Sequence, residues 1–246
     1  MNNILLRTND ALAFRALVEK AAQLFRSSGR GPYYFARGKL GGDPVFAALL
    51  KQGLIPSSAR IVDIGCGQGV LAALLAAAES AALWPTDFAP APKNWTLTGF
   101  DLRTDAVRHG QKALSELAGR VTLKVGDARH ETLPACELAI ILDVQHYIDY
   151  GAQEELLRRI HAALIPEGKL LMRVGDAGQS WRFGITLIVD WLITFARGTL
   201  LPRFWCRTQA EWIALLQKIG FDVTTMPMHA GTPFANVLLV CQRSKR

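Results

Sequence analysis

A buried apolar strand that runs straight into a glycine turn constrains this chain more than any other feature. Residues 60–64 read Arg-Ile-Val-Asp-Ile, followed by Gly65-Cys66-Gly67-Gln68-Gly69 and then the helical run Val70-Leu71-Ala72-Ala73-Leu74-Leu75. Alternating glycines permit the left-handed backbone of a tight strand-to-helix turn and let a ligand approach the main chain. The turn is not the dinucleotide fingerprint G-x-G-x-x-G, because Val stands at 70 and the third glycine at 69. The lysine of a Walker phosphate loop is missing as well. Asp63 adds a charge argument: its carboxylate repels a pyrophosphate and attracts an ammonium group.

The strand–helix alternation continues. Residues 95–101, 120–127, 137–143 and 168–176 read as strands that end at or near an acidic residue, with helical patterns over 104–117 and 152–164 between them. This order predicts a mostly parallel sheet with helices on both faces, joined by right-handed crossovers. A helix over 208–220 and two strands, 221–228 and 234–243, close the chain as an antiparallel hairpin. Before the first strand, Leu12, Phe14, Leu17, Val18, Ala21, Leu24 and Phe25 predict an amphipathic helix over 10–26. A Gly/Pro/aromatic loop over 27–44 follows, and Asp43-Pro44 reads as the N-cap and first turn of a short helix.

Composition enters as a filter. The chain has 246 residues, half of them hydrophobic, which excludes a disordered or fibrous protein and suits one large domain. Cys66, Cys136, Cys206 and Cys241 are scattered, which argues against a disulfide framework or a zinc site and fits a reducing cytoplasm. The N-terminus lacks the continuous apolar core of a signal peptide, and the most apolar stretch, 183–196, is too short to span a bilayer and carries Asp190. Peripheral association with a membrane stays open. The net charge of +7 is uneven: +4 over 1–50, −4 over 51–157 and +7 over 158–246. An acidic middle between basic ends does not resemble a nucleic-acid-coating protein.

The strand, Asp63 and Gly65-x-Gly67-x-Gly69 together resemble the first motif of the class I S-adenosylmethionine (SAM)-dependent methyltransferases. The resemblance covers residues from about 55 to the C-terminus. It implies a Rossmann-like α/β fold with a mostly parallel seven-stranded sheet, a C-terminal antiparallel hairpin and helices on both faces. It implies SAM as cofactor, S-adenosylhomocysteine as product and no metal. On that likeness Asp101 in GFDL binds the ribose hydroxyls and Asp127 in VGDAR lies near the adenine amino group. Asp143, at the end of the strand-four motif AIILDVQHYI, and Cys66, Leu102 and Ala128 within the other motifs are further cofactor-binding residues on that likeness. One departure is the long gap between Gly69 and Asp101, filled by the Pro/Trp-rich residues 79–95. The domain organisation expected is an N-terminal helical cap or lid over 1–54 and a SAM-binding domain over 55–246, with a substrate-side insertion at 176–207.

Methyl transfer to a hydroxyl needs in-line positioning and a base. His146, at the carboxyl end of the fourth strand, is the candidate base, with packing on the cofactor or helix capping as the other reading of it. Tyr33, Tyr34 and Tyr147 are candidate substrate-site aromatics, and Arg37 is a candidate partner of the SAM carboxylate. The 176–207 segment contains Trp181 and Trp191 among further aromatics and arginines. It reads as a hydrophobic acceptor pocket with a basic mouth, or equally as a core-covering or dimer helix. The partners expected are a small aromatic or acyl acceptor, held free or on an acidic carrier protein, with O-methylation favoured. A fainter similarity of 32–46 and 62–69 to bacterial methyltransferases of aryl-polyene and polyketide-type pathways points the same way. RNA or protein methylation, and SAM binding without catalysis, are the alternatives. The strand-four sequence LDVQHY lacks the [DNS]PP[YF] of amino-methylating nucleic-acid enzymes.

Overall fold

In the computed structural model, residues 8–175, 204–228 and 236–244 are described. The chain divides into two compact units, Met1–Thr132 and Leu133–Arg246.

The first unit contains helices α1 (Thr8–Gln23), α2 (Arg30–Gly42) and α3 (Pro44–Lys51), then β1 (Arg60–Ile64), α4 (Val70–Glu79), β2 (Thr96–Asp101), α5 (Thr104–Ala113) and β3 (Val121–Val125). Its strands are parallel, with Asp63 beside Gly99 and Asp101 beside Val125. This register places the acidic strand ends along one edge of the three-stranded array. Helix α4 is buried on nearly every face, and its alanines let α1 pack closely against it.

Two expectations are corrected in this unit. Residues 30–42 of the segment 27–44 form helix α2 rather than a loop. Its Pro32 falls in the first turn, where a missing N–H leaves no helical bond unmade, and Tyr33, Ala36 and Leu40 bury one face despite the glycines. Leu12 is exposed, because at 100° per residue it lies opposite the buried Phe14, Leu17, Val18 and Ala21. The Asp43 N-cap forms as expected, accepting from the Val45 N–H with Pro44 next in line. Residues 79–95 fold back on α1: buried Asp10 accepts from the Thr86 N–H at 2.7 Å, and Phe88 packs on Phe14.

The second unit contains β4 (Cys136–Leu142), α6 (Tyr150–Ala163), β5 (Leu164–Gly175), α7 (Gln209–Ile219), β6 (Phe221–Pro227) and β7 (Asn236–Arg243). Strands β4 and β5 are parallel, and β7 pairs antiparallel with both β5 and β6. Thr208 and Glu211 close a capping box on α7, and Gly220 ends it in the left-handed region. The strand order β3-β2-β1-β4-β5-β7-β6 is the mostly parallel seven-stranded sheet with an antiparallel C-terminal pair that the sequence predicts. No helix of the described residues is long and apolar enough to cross a membrane.

Candidate functional site

In the first unit the site grows from the turn after β1. Gly65, Gly67 and Gly69 all have positive φ (76°, 58° and 75°), the conformation for which side chains other than glycine are strained. Two further glycines allow the turn its neighbours. A Cβ at Gly99 would lie 2.7 Å from the Cys66 sulfur, and one at Gly110 only 2.5 Å from the Gln68 carbonyl oxygen. The Gly65 and Cys66 amides both donate to the Phe100 carbonyl, which anchors the turn to the end of β2.

Asp63 is buried, and its carboxylate has no hydrogen-bond or ion-pair partner among the described residues. Burial, with the nearby charge of Asp101 as a second cause, pushes its carboxyl up to about 7. A buried carboxylate without a cation is costly, so this position fits a ligand that brings a positive charge. The same burial pushes the Cys66 thiol up, leaving it an inert wall of the turn rather than a nucleophile.

Asp101 and Asp127 share one device. Each accepts from the backbone N–H two residues on, at 2.9 Å, and from the Nε of the same arginine: Arg103 for Asp101 at 3.2 Å, and Arg129 for Asp127 at 3.0 Å. Asp101 also accepts from the Gly67 amide at 2.8 Å, which ties the ends of β1 and β2 together. Arg129 forks over both Asp127 oxygens and holds that carboxyl below the usual carboxylate range. Leu102 between them is exposed and Ala128 is buried. The Asp-x-Arg repeat was visible in the sequence as DLR and DAR, although the arginines were not singled out.

Arg37, Tyr33 and Tyr34 lie on α2. Arg37 pairs with Glu19 of α1 at 3.1 Å, and the buried Tyr33 hydroxyl donates to the same carboxylate at 2.8 Å. Tyr34 is exposed and meets Tyr33 edge-on. The glycine turn reaches this helix through Gln68, whose Nε2 donates to the Pro32 carbonyl at 2.8 Å.

The second unit has its own strand-end turn. Asp143, just after β4, has φ +60° and forms a two-pronged ion pair with Arg173 of β5, Nε to Oδ1 at 2.7 Å and Nη2 to Oδ2. A single 3₁₀ turn, Gln145–Tyr147, then carries His146. Burial pulls the imidazole below its ordinary range, against a smaller opposing effect of the Asp143 charge, so the ring is neutral at pH 7. Its ring packs 4.0 Å from Tyr147 and 5.8 Å from Phe204.

This turn is fixed by Gln153 of α6, which is fully buried. Its Nε2 donates to the Gln145, Ile148 and Trp205 carbonyls at 2.8–2.9 Å, and its Oε1 accepts from Arg207. The Trp205 amide in turn donates to the His146 carbonyl. Arg173, Gln145 and Gln153 carried no sequence signal, since a glutamine's importance here comes entirely from burial. Trp181, Trp191 and the rest of 176–203 lie outside the described residues, as does His229. Among the described residues no cluster of His, Cys, Asp and Glu has the makings of a metal site.

Residues 37–226 match a family model described as a methyltransferase domain. No curated protein matches the sequence. Among solved structures, the chain resembles the SAM-dependent methyltransferase SibL in its apo form, with 21% identity, 87% of this chain and 58% of that chain covered and a TM-score of 0.62. It resembles the mitomycin 7-O-methyltransferase MmcR at 24% identity, with 92% and 61% covered and a TM-score of 0.59. Magnesium protoporphyrin IX methyltransferase from Synechocystis, solved with bound SAH, matches at 19% identity, 81% and 80% coverage and a TM-score of 0.56. At these identities the likeness is one of fold. The chain spans about three fifths of the length of the first two, 58% and 61%.

Proposed function

We propose that this chain, which belongs to the methyltransferase-domain family, moves a methyl group from SAM to a hydroxyl of a small, aromatic or acyl acceptor. The observation that carries the reading is Asp63: a buried carboxylate with no partner among the described residues, two residues before the first of three left-handed glycines. That site suits a ligand with an ammonium group and a backbone-hugging body, and SAM has both. Asp63 would hold the ammonium end, Asp101 the ribose hydroxyls and Asp127 the adenine amine. Gly65, Gly67 and Gly69 give the ligand room, lined by Cys66, Leu102 and Ala128. Arg37 is the proposed partner of the ligand carboxylate, released from Glu19 for that purpose.

Bound SAM supplies an electrophilic methyl group, which the acceptor oxygen takes with release of S-adenosylhomocysteine. The protein's part is orientation and proton removal. A neutral imidazole at His146 accepts the hydroxyl proton, and its lowered pKa keeps it competent below pH 7. Tyr33, Tyr34 and Tyr147, with Trp181 and Trp191 of the insertion at 176–207, are the proposed acceptor-binding aromatics. The helical segment over 1–54 acts as the cap. An acidic carrier protein bearing the acceptor would meet the basic C-terminal part of the chain.

Calorimetric titration with SAM and S-adenosylhomocysteine tests the core of this reading, together with an activity screen using labelled SAM against phenolic, carboxylic and carrier-bound acceptors and RNA. Binding that is lost in Asp63→Ala supports it. Absence of binding to the wild type sinks it, and label appearing in RNA alone would replace the acceptor assignment.

A further inference from the structure

The second unit buries a polar group that nothing in its fold explains. The Gln145 side chain is 1% exposed, and neither its Nε2 nor its Oε1 has a hydrogen-bond partner among the described residues. An amide enclosed without partners costs about 1–3 kcal/mol, so such groups are rare unless something fills the vacancy. The backbone that carries this side chain is pinned. Its own carbonyl is held by Gln153 at 2.9 Å, and Gln153 also grips the Ile148 and Trp205 carbonyls on either side of the turn.

The charges that neighbour Gln145 along the chain are balanced. The Asp143 carboxylate is matched by the Arg173 guanidinium, and His146 next in sequence is neutral at pH 7. A buried neutral amide offers two donors and one acceptor but no net charge to offset that of an anion. Tyr147, two residues on, is 43% exposed.

We infer that Gln145 is a specificity-determining residue that receives an uncharged polar substituent of the acceptor, a hydroxyl or carbonyl, and discriminates against a carboxylate or phosphate there. The inference rests on the methyltransferase reading and narrows its acceptor class. An amide suits a hydroxyl because Oε1 accepts its proton while Nε2 donates to an adjacent oxygen. Enclosure makes the discrimination strong, since an acceptor lacking the group leaves the amide unpaired in the complex.

The test compares wild type, Gln145→Leu and Gln145→Met, each loaded with S-adenosylhomocysteine, in ligand-observed NMR titrations with catechol and benzoate. Wild type is expected to bind catechol at least about tenfold tighter than benzoate. Both variants are expected to lose about tenfold or more of the catechol affinity while their cofactor-free forms melt no lower than wild type, because an unpaired buried amide has been removed. Catechol binding unchanged in both variants overturns the inference and leaves a sealed water as the occupant of the amide. Equal binding of benzoate and catechol to wild type, or binding of neither, also overturns it. The S-adenosylhomocysteine thermal shift of wild type separates the two levels: its absence removes the methyltransferase reading, and its presence with unchanged variants removes only the role of Gln145.

Discussion

The turn after β1 and the turn after β4 are both strand-end turns with an acidic residue at the strand's end, but they treat charge in opposite ways. The first leaves the Asp63 carboxylate buried with no partner among the described residues. The second matches Asp143 with Arg173 and leaves an uncharged amide, Gln145, without a partner among the described residues. The contrast teaches that strand-end position does not determine ligand chemistry. The partner contributed by the neighbouring strand does, so one turn suits a cation and the other a neutral polar group.

The comparison can be broken in several ways, beginning with the largest effect. His146→Ala is expected to lower kcat by about 10²–10⁴-fold while SAM affinity stays near wild type, if the ring acts on the acceptor proton alone as proposed. In wild type the acidic limb of the kcat/KM profile should fall below the 6.5 of an ordinary histidine, because burial lowers its pKa. An unchanged kcat in the variant removes the base role.

Asp63→Asn is expected to weaken SAM binding by about 100-fold or more by titration calorimetry, the loss of one buried charge-assisted contact. The same substitution should stabilise the ligand-free protein at neutral pH. Folding raises the Asp63 pKa from 3.8 to about 7, so the folded state holds this proton more tightly than the unfolded state. Its stabilising effect is therefore complete below about pH 4 and lost as pH rises through about 7, amounting to at most about 4 kcal/mol at about 1.4 kcal/mol per unit. SAM affinity should run the other way, weakening by about tenfold for each unit below pH 7, because the ammonium needs the ionised carboxylate. A flat affinity from pH 5 to 8 contradicts the charge assignment.

Gln153→Leu should cost about 2–4 kcal/mol in urea denaturation, since three buried carbonyls and Arg207 lose their shared partner. A loss below about 1 kcal/mol would mean that the β4 turn is held by packing instead. The smallest effect is expected at Arg129→Ala. Its pair with Asp127 is partly exposed, with the arginine side chain 37% accessible, so stability should change by less than about 1 kcal/mol. A larger loss would place Arg129 among the groups that shape the first turn.

The first turn was largely legible in the sequence. Asp63, the three glycines, Asp101 and Asp127 are local signals, because a strand end, a left-handed backbone and a following helix are set by residues a few positions apart. Segment 27–44 was misread for the same reason. Its glycines and proline spoke locally for a loop, while the burial of Tyr33, Ala36 and Leu40 made a helix of it. The second turn was legible only at its strand, at Asp143 and at His146.

The sequence by itself determined the strand and helix order, the antiparallel closing pair, the cofactor-type turn and the carboxylates at the ends of β1, β2 and β4. Those depend on periodicity and backbone chemistry carried by short stretches of chain. Only the tertiary structure decided which carboxylate would be neutralised and which left alone. Arg173 reaches Asp143 from 30 positions away, and Gln153 joins a turn to a segment 52 positions on. Such pairings, and the burial that makes Gln145 matter, depend on which distant residues fold into contact. No local pattern in the chain records them.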